Sequence, residues 1–461
     1  MKYFFTIGCL LILALNSKAQ IHDFNLQECI DYAMEHQISL KNAELDKELQ
    51  FEKNKEVLAS TRPNVSANAD MNYLFIIPKQ RSDAGAFNFG DAFSFFVVDS
   101  AAYQQFLNTP QPEYSELKFG LPLSMSANVQ ASQILFDPNV LIGLQARESL
   151  NELAELNLQR TKEDLRVSVS KAYYNAVIAE RRSILLDENI SLLTSLEDMT
   201  SRLYKEGFAE KIDWTRLTVQ KNNAISEKEK IMGLIELSKQ LLKFQIGMPL
   251  DESLEVIDNL TREVIEENLV LDNVVDYGNR TEFKLLEKAV ELNDLDLQRY
   301  EKSYLPSVVA VGQLGYATQT KRLQEFFTLP WFPTGAIGLS VSVPIYGGGL
   351  RAAKMNQAKI NIQKNQNDML NLKHVVDLQA ANSRTMLSNN LITLKRQEET
   401  INLAEKVLDL SKRKYKEGVG SNIEIIQAQT ELKTARINFY NTLYEAMLSK
   451  IDLEQALGVY K

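Results

Sequence analysis

Cysteine is almost missing from this chain, which has only Cys9 and Cys29 in 461 residues. The first of these sits in an N-terminal stretch with the pattern of a secretory signal. Lys2 precedes an apolar run from Tyr3 to Leu15, and Ser17-Lys18-Ala19 places small residues at the minus-three and minus-one positions. Cleavage after Ala19 is expected, and Cys29 then stays as a single thiol that excludes an intramolecular disulfide. Only eight residues precede Cys9 and half of the apolar run still follows it, so a lipoprotein is not expected. The run is also shorter than the about 20 residues a spanning helix needs. Positive charge is in deficit, with 51 Lys and Arg against 60 Asp and Glu; loss of Lys2 and Lys18 takes the formal charge from -9 to about -11. Such acidity argues against a nucleic-acid partner. Histidine is rare, and His22, His36 and His374 have no metal-ligand spacing. Neither a Gly-rich phosphate loop nor a nucleophile elbow is present, and methionines are scattered. No enzymatic activity, cofactor or metal site is expected. Glycine (19) and proline (11) are scarce as well, which in a long chain means few turns and long elements.

The main positive feature is an internal repeat. Arg202 and Tyr204-Lys205-Glu206-Gly207 recur 211 positions later as Arg413 and Tyr415-Lys416-Glu417-Gly418. The offset persists through Ile212 with Ile423, Asp213 with Glu424, Ala224 with Ala435 and Gly247 with Gly458. Earlier, Asp31-Tyr32 pairs with Asp276-Tyr277, and Arg62-Pro63-Asn64 with Leu305-Pro306-Ser307, at a larger offset. The period is far above the 20 to 50 residues of a solenoid. Three segments are expected: a signal peptide at 1–19, a first repeat at 20–260 with a β-hairpin at 64–136, and a second repeat at 261–461 with a β-hairpin at 307–346.

Within each repeat the hydrophobic period changes from helix to strand and back. From Asn64 to Tyr73 the chain alternates strictly, with Val65, Ala67, Ala69, Met71 and Tyr73 on one face and Asn64, Ser66, Asn68, Asp70 and Asn72 on the other. Similar alternation runs from Ser124 to Ser132 and from Ala336 to Val343, and less cleanly from Val308 to Tyr316. These are four expected strands. Segments 26–62, 139–203, 210–246, 268–304, 349–414 and 421–457 are rich in helix formers and nearly free of Pro and Gly. In the last, Ile425, Ala428, Leu432, Ala435, Phe439, Thr442, Ala446, Ser449, Leu453 and Ala456 form a heptad seam, with a second stripe through Ile426, Ile437, Tyr440, Tyr444, Met447 and Ile451 beside it. A helix over 139–203 would measure roughly 100 Å, which no compact globular domain needs.

The strands are about as long as tilted membrane-crossing β-strands. Their alternation fits a barrel with a lipid face and a wet lumen, and a membrane sheet must close on itself. About eight strands is the practical minimum for a barrel, so four must be pooled between copies; a trimer gives twelve and a tetramer sixteen. A soluble sandwich is the competing reading, but it would need a turn every 8 to 12 residues. A structural coiled-coil envelope protein without channel activity would not require amphipathic strands of barrel length. A periplasmic adaptor would show one helical hairpin and no duplication.

The signal peptide, the duplicated order of helix, hairpin, helix and helix, the strand ending Leu339-Ser340-Val341-Ser342-Val343-Pro344-Ile345-Tyr346-Gly347-Gly348-Gly349, and the Tyr-x-x-Gly turns together resemble the TolC-like outer membrane efflux proteins. The resemblance covers essentially the whole mature chain. It implies a mainly α fold with β: long antiparallel coiled-coil helices forming a periplasmic tunnel, and four strands per protomer contributing to a trimeric twelve-stranded transmembrane β-barrel. It further implies a homotrimer in outer-membrane lipid, docked on a periplasmic adaptor (membrane fusion) protein and an inner-membrane transporter. The expected function is a passive, gated exit duct of a tripartite efflux or type I secretion system, for small molecules or polypeptides. By the same resemblance Tyr204 to Asp213 and Tyr415 to Glu424 form the periplasmic tip, gate and adaptor contact. Tyr204, Gly207, Asp213, Tyr415, Gly418 and Glu424 are its candidate residues. Gly207 and Gly418 suit tight helix ends. Asp213 and Glu424 either complement helix dipoles or form an acidic ring on the threefold axis. Arg202, Lys205, Arg413 and Lys416 are candidate ionic latches or plain solvated charges, and Gly420-Ser421-Asn422 leaves the second turn without a base. In the first hairpin loop, 74–118, Phe87, Phe89, Phe93, Phe95, Phe96 and Tyr103 suggest a lid over the barrel mouth, self-packing or contact with lipid headgroups.

Overall fold

The computed structural model describes residues 21–83, 114–118, 120–257, 260–267, 269, 274–328 and 330–459. The signal segment and the aromatic residues Phe87 to Tyr103 lie outside them. The chain separates into two compact units, one of residues up to Lys53, Ala146–Leu295 and Asn356–Lys461, the other of Asn54–Gln145 and Asp296–Met355.

The second unit is built on a four-stranded antiparallel sheet of β2 (Asn64–Tyr73), β5 (Leu123–Phe136), β7 (Ser307–Thr320) and β8 (Phe332–Ser342), in that spatial order. The strands expected at 64–73, 124–132, 308–316 and 336–343 are all present, three of them longer than the alternation alone marked. The register explains the pattern. Val65 faces Ala131, Ala67 faces Val129, Ala69 faces Ala127 and Met71 faces Met125, and the apolar row continues into β7 as Ala127 with Tyr316 and Val129 with Leu314. A slip of one residue would exchange the two faces of every strand. The first hairpin loop, 74–118, contains a short antiparallel pair, β3 (Lys79–Asp83) with β4 (Tyr114–Lys118).

The helical unit is organised around long elements: α3 (Pro138–Lys205), α4 (Lys211–Ile246), α7 (Leu350–Lys416) and α8 (Asn422–Leu457). Lengths match in pairs, 68 with 67 and 36 with 36 residues. Their ends have stated causes: α4 and α8 stop at Gly247 and Gly458, both left-handed at φ 76° and 70°. The expected seam of α8 is buried at Ile425, Ala428, Leu432, Ala435, Thr442, Ala446, Leu453 and Ala456, and its second stripe is buried at Met447 and Ile451. Two apolar clusters result. The larger joins Cys29, Tyr173, Ile246, Leu254, Ile265, Leu443 and Ile451, and the smaller joins Leu193, Leu196, Leu217, Ile425, Ala428 and Leu432.

Three expectations are corrected. The segment 26–62 is two helices, α1 (Leu26–His36) and α2 (Ile38–Ala59), separated at Gln37. Gln37 adopts extended backbone and donates its amide to Phe244 O and Gln245 O at 3.2 and 2.9 Å, satisfying the carbonyl end of α4 at the expense of its own helix. The helix expected at 268–304 starts only at Thr281, as α6 (Thr281–Lys302). Upstream, the Asp276 carboxylate accepts the Gly278 N–H at 3.0 Å and closes a 3₁₀ turn at Tyr277–Asn279. Finally, β1 (Ile21–Phe24) and β6 (Ser253–Val256) form a parallel pair, followed by the one-turn helix α5 (Arg262–Glu266); none of these was expected.

Candidate functional site

Two places in the molecule carry candidate function: the faces of the sheet and the turns between the long helices. Among the described residues no helix is long and apolar enough to cross a membrane, so the membrane question rests on the strands. Val65, Met71, Tyr73, Val129, Leu314, Tyr316, Ile337, Leu339 and Val341 are all exposed and share one face. In water such a contiguous apolar surface demands a cover. The opposite face carries Asn64, Ser66, Asn68, Asp70 and Asn72 on β2 and Ser124, Ser126, Asn128, Gln130 and Ser132 on β5. On β7 and β8 it continues through Gln313, Thr334, Ser340 and Ser342. Gly315 packs where the sheet tolerates no side chain: an added Cβ would lie 2.5 Å from Ala127 O and Asn128 Oδ1. Each outer strand, β2 and β8, has only one neighbour among the described residues.

The two long-helix turns are built alike. At the end of α3, Phe208 N–H donates to Leu203 O at 2.8 Å and Gly207 N–H to Tyr204 O at 3.0 Å. At the end of α7, Val419 N–H donates to Lys414 O and Gly418 N–H to Tyr415 O, both at 3.1 Å. This pair of bonds is the Schellman motif, which needs a left-handed residue; Gly207 and Gly418 supply it at φ 79° and 75°. Tyr204 stacks on Trp214 with ring centroids 5.9 Å apart. The Tyr415 hydroxyl lies 3.3 Å from that of Thr200, linking α7 to α3.

The acids of the turns both have local partners. Asp213 sits in the first turn of α4, 3.6 Å from Arg216. Glu424 sits in the first turn of α8, where Ser421 caps its N–H, and its carboxylate is 3.4 Å from Lys414. All four side chains are substantially exposed, so each pair contributes only about 0 to 1 kcal/mol. Of the cations singled out in the sequence, Arg413 pairs with Asp409 on its own helix at 2.7 Å. It is Lys414 that crosses the second turn.

Stronger links lie about two to five helical turns away, and sequence reasoning missed them. Glu197 on α3 is nearly buried; it accepts the Thr218 hydroxyl at 2.6 Å and pairs with Lys221, both on α4. The Lys221 and Thr218 hydrogen bonds hold its carboxyl below the usual carboxylate range, against the opposing effect of burial. Arg436 on α8 spans Glu188 on α3 and Glu405 on α7, both at 2.6 Å. Lys433 on α8 reaches Glu227 on α4 at 2.9 Å. A signal for the first of these exists in the repeat. At the 211-residue offset, Glu197 and Lys221 correspond to Leu408 and Leu432, both buried in the smaller cluster. Where one helical pair is fastened by charge, its counterpart is fastened by leucines. Among the described residues no group of three or more His, Cys, Asp or Glu converges as a metal site would require.

Comparison with known proteins follows the same line. Residues 285–459 match the family model for outer membrane efflux protein. The chain is 22% identical over 318 residues to the proteases secretion protein PrtF of Dickeya chrysanthemi, a match spanning 66% of each protein. It is 22% identical over 338 residues to the outer membrane protein TolC of Vibrio cholerae, spanning 72% of this chain and 76% of that one. In fold it superposes on the Campylobacter jejuni CmeC outer membrane channel with a TM-score of 0.72 at 14% identity, covering 94% of this chain and 85% of that one.

Proposed function

With the chain placed among the TolC-like outer membrane efflux proteins, we propose that it is the outer-membrane exit duct of an export machine, a passive and gated conduit. It is an outer-membrane protein with a large periplasmic portion, and its family is one of channels rather than an enzyme class. The observation that carries the duct reading is the sheet. It has one exposed apolar face, one polar face and unfilled outer edges, which is half-finished as a soluble structure and complete only when closed in lipid. Three copies close twelve strands around a lumen, with the two repeats as the likeness-related halves of each subunit. A homotrimer is therefore the working assembly, with a periplasmic adaptor and an inner-membrane transporter supplying contact and energy.

In this reading the turns at Tyr204–Asp213 and Tyr415–Glu424 are the periplasmic tip. Tyr204, Gly207, Tyr415 and Gly418 shape it, while Asp213 and Glu424 give it negative charge. The links around it, Thr200 with Tyr415 and Arg436 with Glu188 and Glu405, hold α3, α7 and α8 together in the resting state. Opening by a partner must exchange them for other contacts. The test is single-channel conductance of the detergent-extracted protein in planar bilayers, with its native mass. The expected result is three chain masses and small cation-selective openings, with block by multivalent cations relieved in Asp213→Ala plus Glu424→Ala. A detergent-independent monomer with no conductance refutes the duct and leaves a structural coiled-coil envelope protein.

A further inference from the structure

The four strands of the sheet hold one charged residue between them, Asp70; no Lys, Arg or Glu occurs in 64–73, 123–136, 307–320 or 332–342. Its place is as informative as its rarity. Asp70 lies on the polar face of β2, and the register sets it against Ser126 on β5, which in turn faces Ala317 on β7 and then Phe332 on β8. Every other position on that face is an amide, a hydroxyl, a glycine or an apolar side chain. Asp70 is exposed, and no salt bridge or hydrogen bond is formed by its side chain among the described residues. A carboxylate in a sheet this deficient in charge is costly unless it faces water. It does no visible structural work there.

We infer that Asp70 sets the charge preference of the barrel lumen, acting as a fixed anion that enriches cationic and depletes anionic solutes at its level. The inference rests on the duct reading, because only closure of the sheet brings the polar faces of several copies around one axis. Closing twelve strands about 4.8 Å apart at a tilt of about 40° gives a backbone radius of roughly 12 Å. Three carboxylates then stand roughly 10 Å from the axis. At about 0.1 M salt the Debye length is also about 10 Å, so the field is confined to the wall, whereas at about 0.01 M it is about 30 Å and the three fields overlap across the lumen. The preference therefore grows as salt falls, and it concerns net charge rather than the identity of the solute. No ion needs to be bound for it to operate.

The test reads the potential locally, so that charges elsewhere along the duct do not enter. A reporter thiol is introduced by Ser126→Cys, directly across the strand pair from Asp70. The native Cys29 is buried and its thiol is pushed up to about 12, chiefly by burial and further by Glu28, which keeps it silent. The trimer in lipid vesicles is treated with a cationic or an anionic methanethiosulfonate at low salt, in the Asp70 background and with Asp70→Asn, Asp70→Lys and Asp70→Glu. Side chains directly opposite are about 5 Å apart at Cβ. A unit charge at that range is expected to shift the ratio of cationic to anionic modification rates by roughly threefold to tenfold. The ratio should fall in Asp70→Asn, invert in Asp70→Lys and hold in Asp70→Glu, with each change shrinking at high salt. An unchanged ratio, with both reagents reacting freely, overturns the role of Asp70 and leaves the duct intact. A thiol at 126 that neither reagent reaches, while one from Ala127→Cys is reached, overturns the face assignment and the duct reading with it.

Discussion

The Glu197–Lys221 clasp gives the sharpest quantitative expectation, because the repeat contains its own control. Glu197 is 9% exposed and hydrogen-bonded to Thr218 and Lys221, so it lies between a solvated pair, worth about 0 to 1 kcal/mol, and a fully buried one, whose breaking costs about 3 to 5 kcal/mol. Lys221→Leu strips the carboxylate of its cation, and a loss of about 2 kcal/mol in the local stability of the α3–α4 hairpin is expected. The corresponding positions in the second hairpin are Leu408 and Leu432, which are 7% and 5% exposed. Glu197→Leu with Lys221→Leu should therefore recover most of the loss, since replacing a buried pair by apolar side chains is often neutral or stabilising. The assay is amide hydrogen exchange of peptides covering 193–224 in the detergent-extracted assembly. Exchange in the single variant should accelerate roughly 30-fold, the equivalent of about 2 kcal/mol. The double variant should return to within a few-fold of the parent, with peptides around Leu408 and Leu432 unaffected. If single and double variants exchange equally fast, the clasp is not a pair that leucines can replace, and the reasoning fails.

The same carboxylate predicts the acid response. Its folded-state titration is depressed, so its stabilisation is complete above the unfolded carboxylate value of about 4.3 and is lost as pH falls through the lower folded value. Exchange over 193–224 should thus rise in that acid window in the parent but not in the Leu/Leu variant. The glycines separate two costs. Gly207→Ala and Gly418→Ala meet only the left-handed backbone and should each lose about 1 kcal/mol. Gly247→Ala adds a Cβ 2.9 Å from His36 O and Gln37 Cα, and thermal scanning should find it at least twice as harmful. On the sheet, Leu314→Lys on the apolar face should cost about 2 to 4 kcal/mol and deplete the protein from outer-membrane fractions, whereas Asn128→Lys on the polar face should be tolerated. Equal tolerance of both would remove the lipid assignment.

What could be read in advance follows from what sequence periodicity encodes. Alternation from Asn64 to Tyr73 and from Ser124 to Ser132 reports a single choice, which face meets which solvent, and every residue repeats that choice; the strands were therefore legible. The long helices were legible for the same reason, and their ends because Gly207, Gly247, Gly418 and Gly458 punctuate them. Gln37 was not, because nothing in its neighbourhood disfavours helix; its break is stabilised by Phe244 and Gln245, about 207 positions away. The pairing of β1 with β6 involves four residues a side, too few for a period to emerge. At the tip, the resemblance offered Arg202, Lys205, Arg413 and Lys416 as latches or plain solvated charges. The packing places Lys414 across the turn and assigns the closer fastenings to Glu197, Thr200 and Arg436. Of these pairs, Thr200 with Tyr415 and Arg436 with Glu188 join helices more than 200 positions apart, and even for the nearer ones no local period marks the partner; only the departure of Glu197 and Lys221 from the leucines of the other repeat hinted at one of them.

The directions of the strands carry the assembly argument one step further. Because β2, β5, β7 and β8 alternate in direction, β2 of one copy can lie antiparallel to β8 of the next, with no reversal of any chain. Head-to-tail copies therefore keep the sheet antiparallel throughout, and the closing operation is a rotation. That operation also keeps every apolar face outward and every polar face inward, provided the joining register preserves the alternation. Two copies would give eight strands, an interior that side chains fill. The polar face here is mainly Ser, Thr, Asn, Gln, Gly and Ala with one Asp, broken by Ile134, Val309, Val311 and Phe332, and most of these groups are suited to water and too small to pack a dry core of their own. A lumen wide enough to stay wet needs more strands than two copies supply. The small side chains that dominate that face thus exclude a two-copy barrel, and the twelve strands of the proposed trimer meet the requirement.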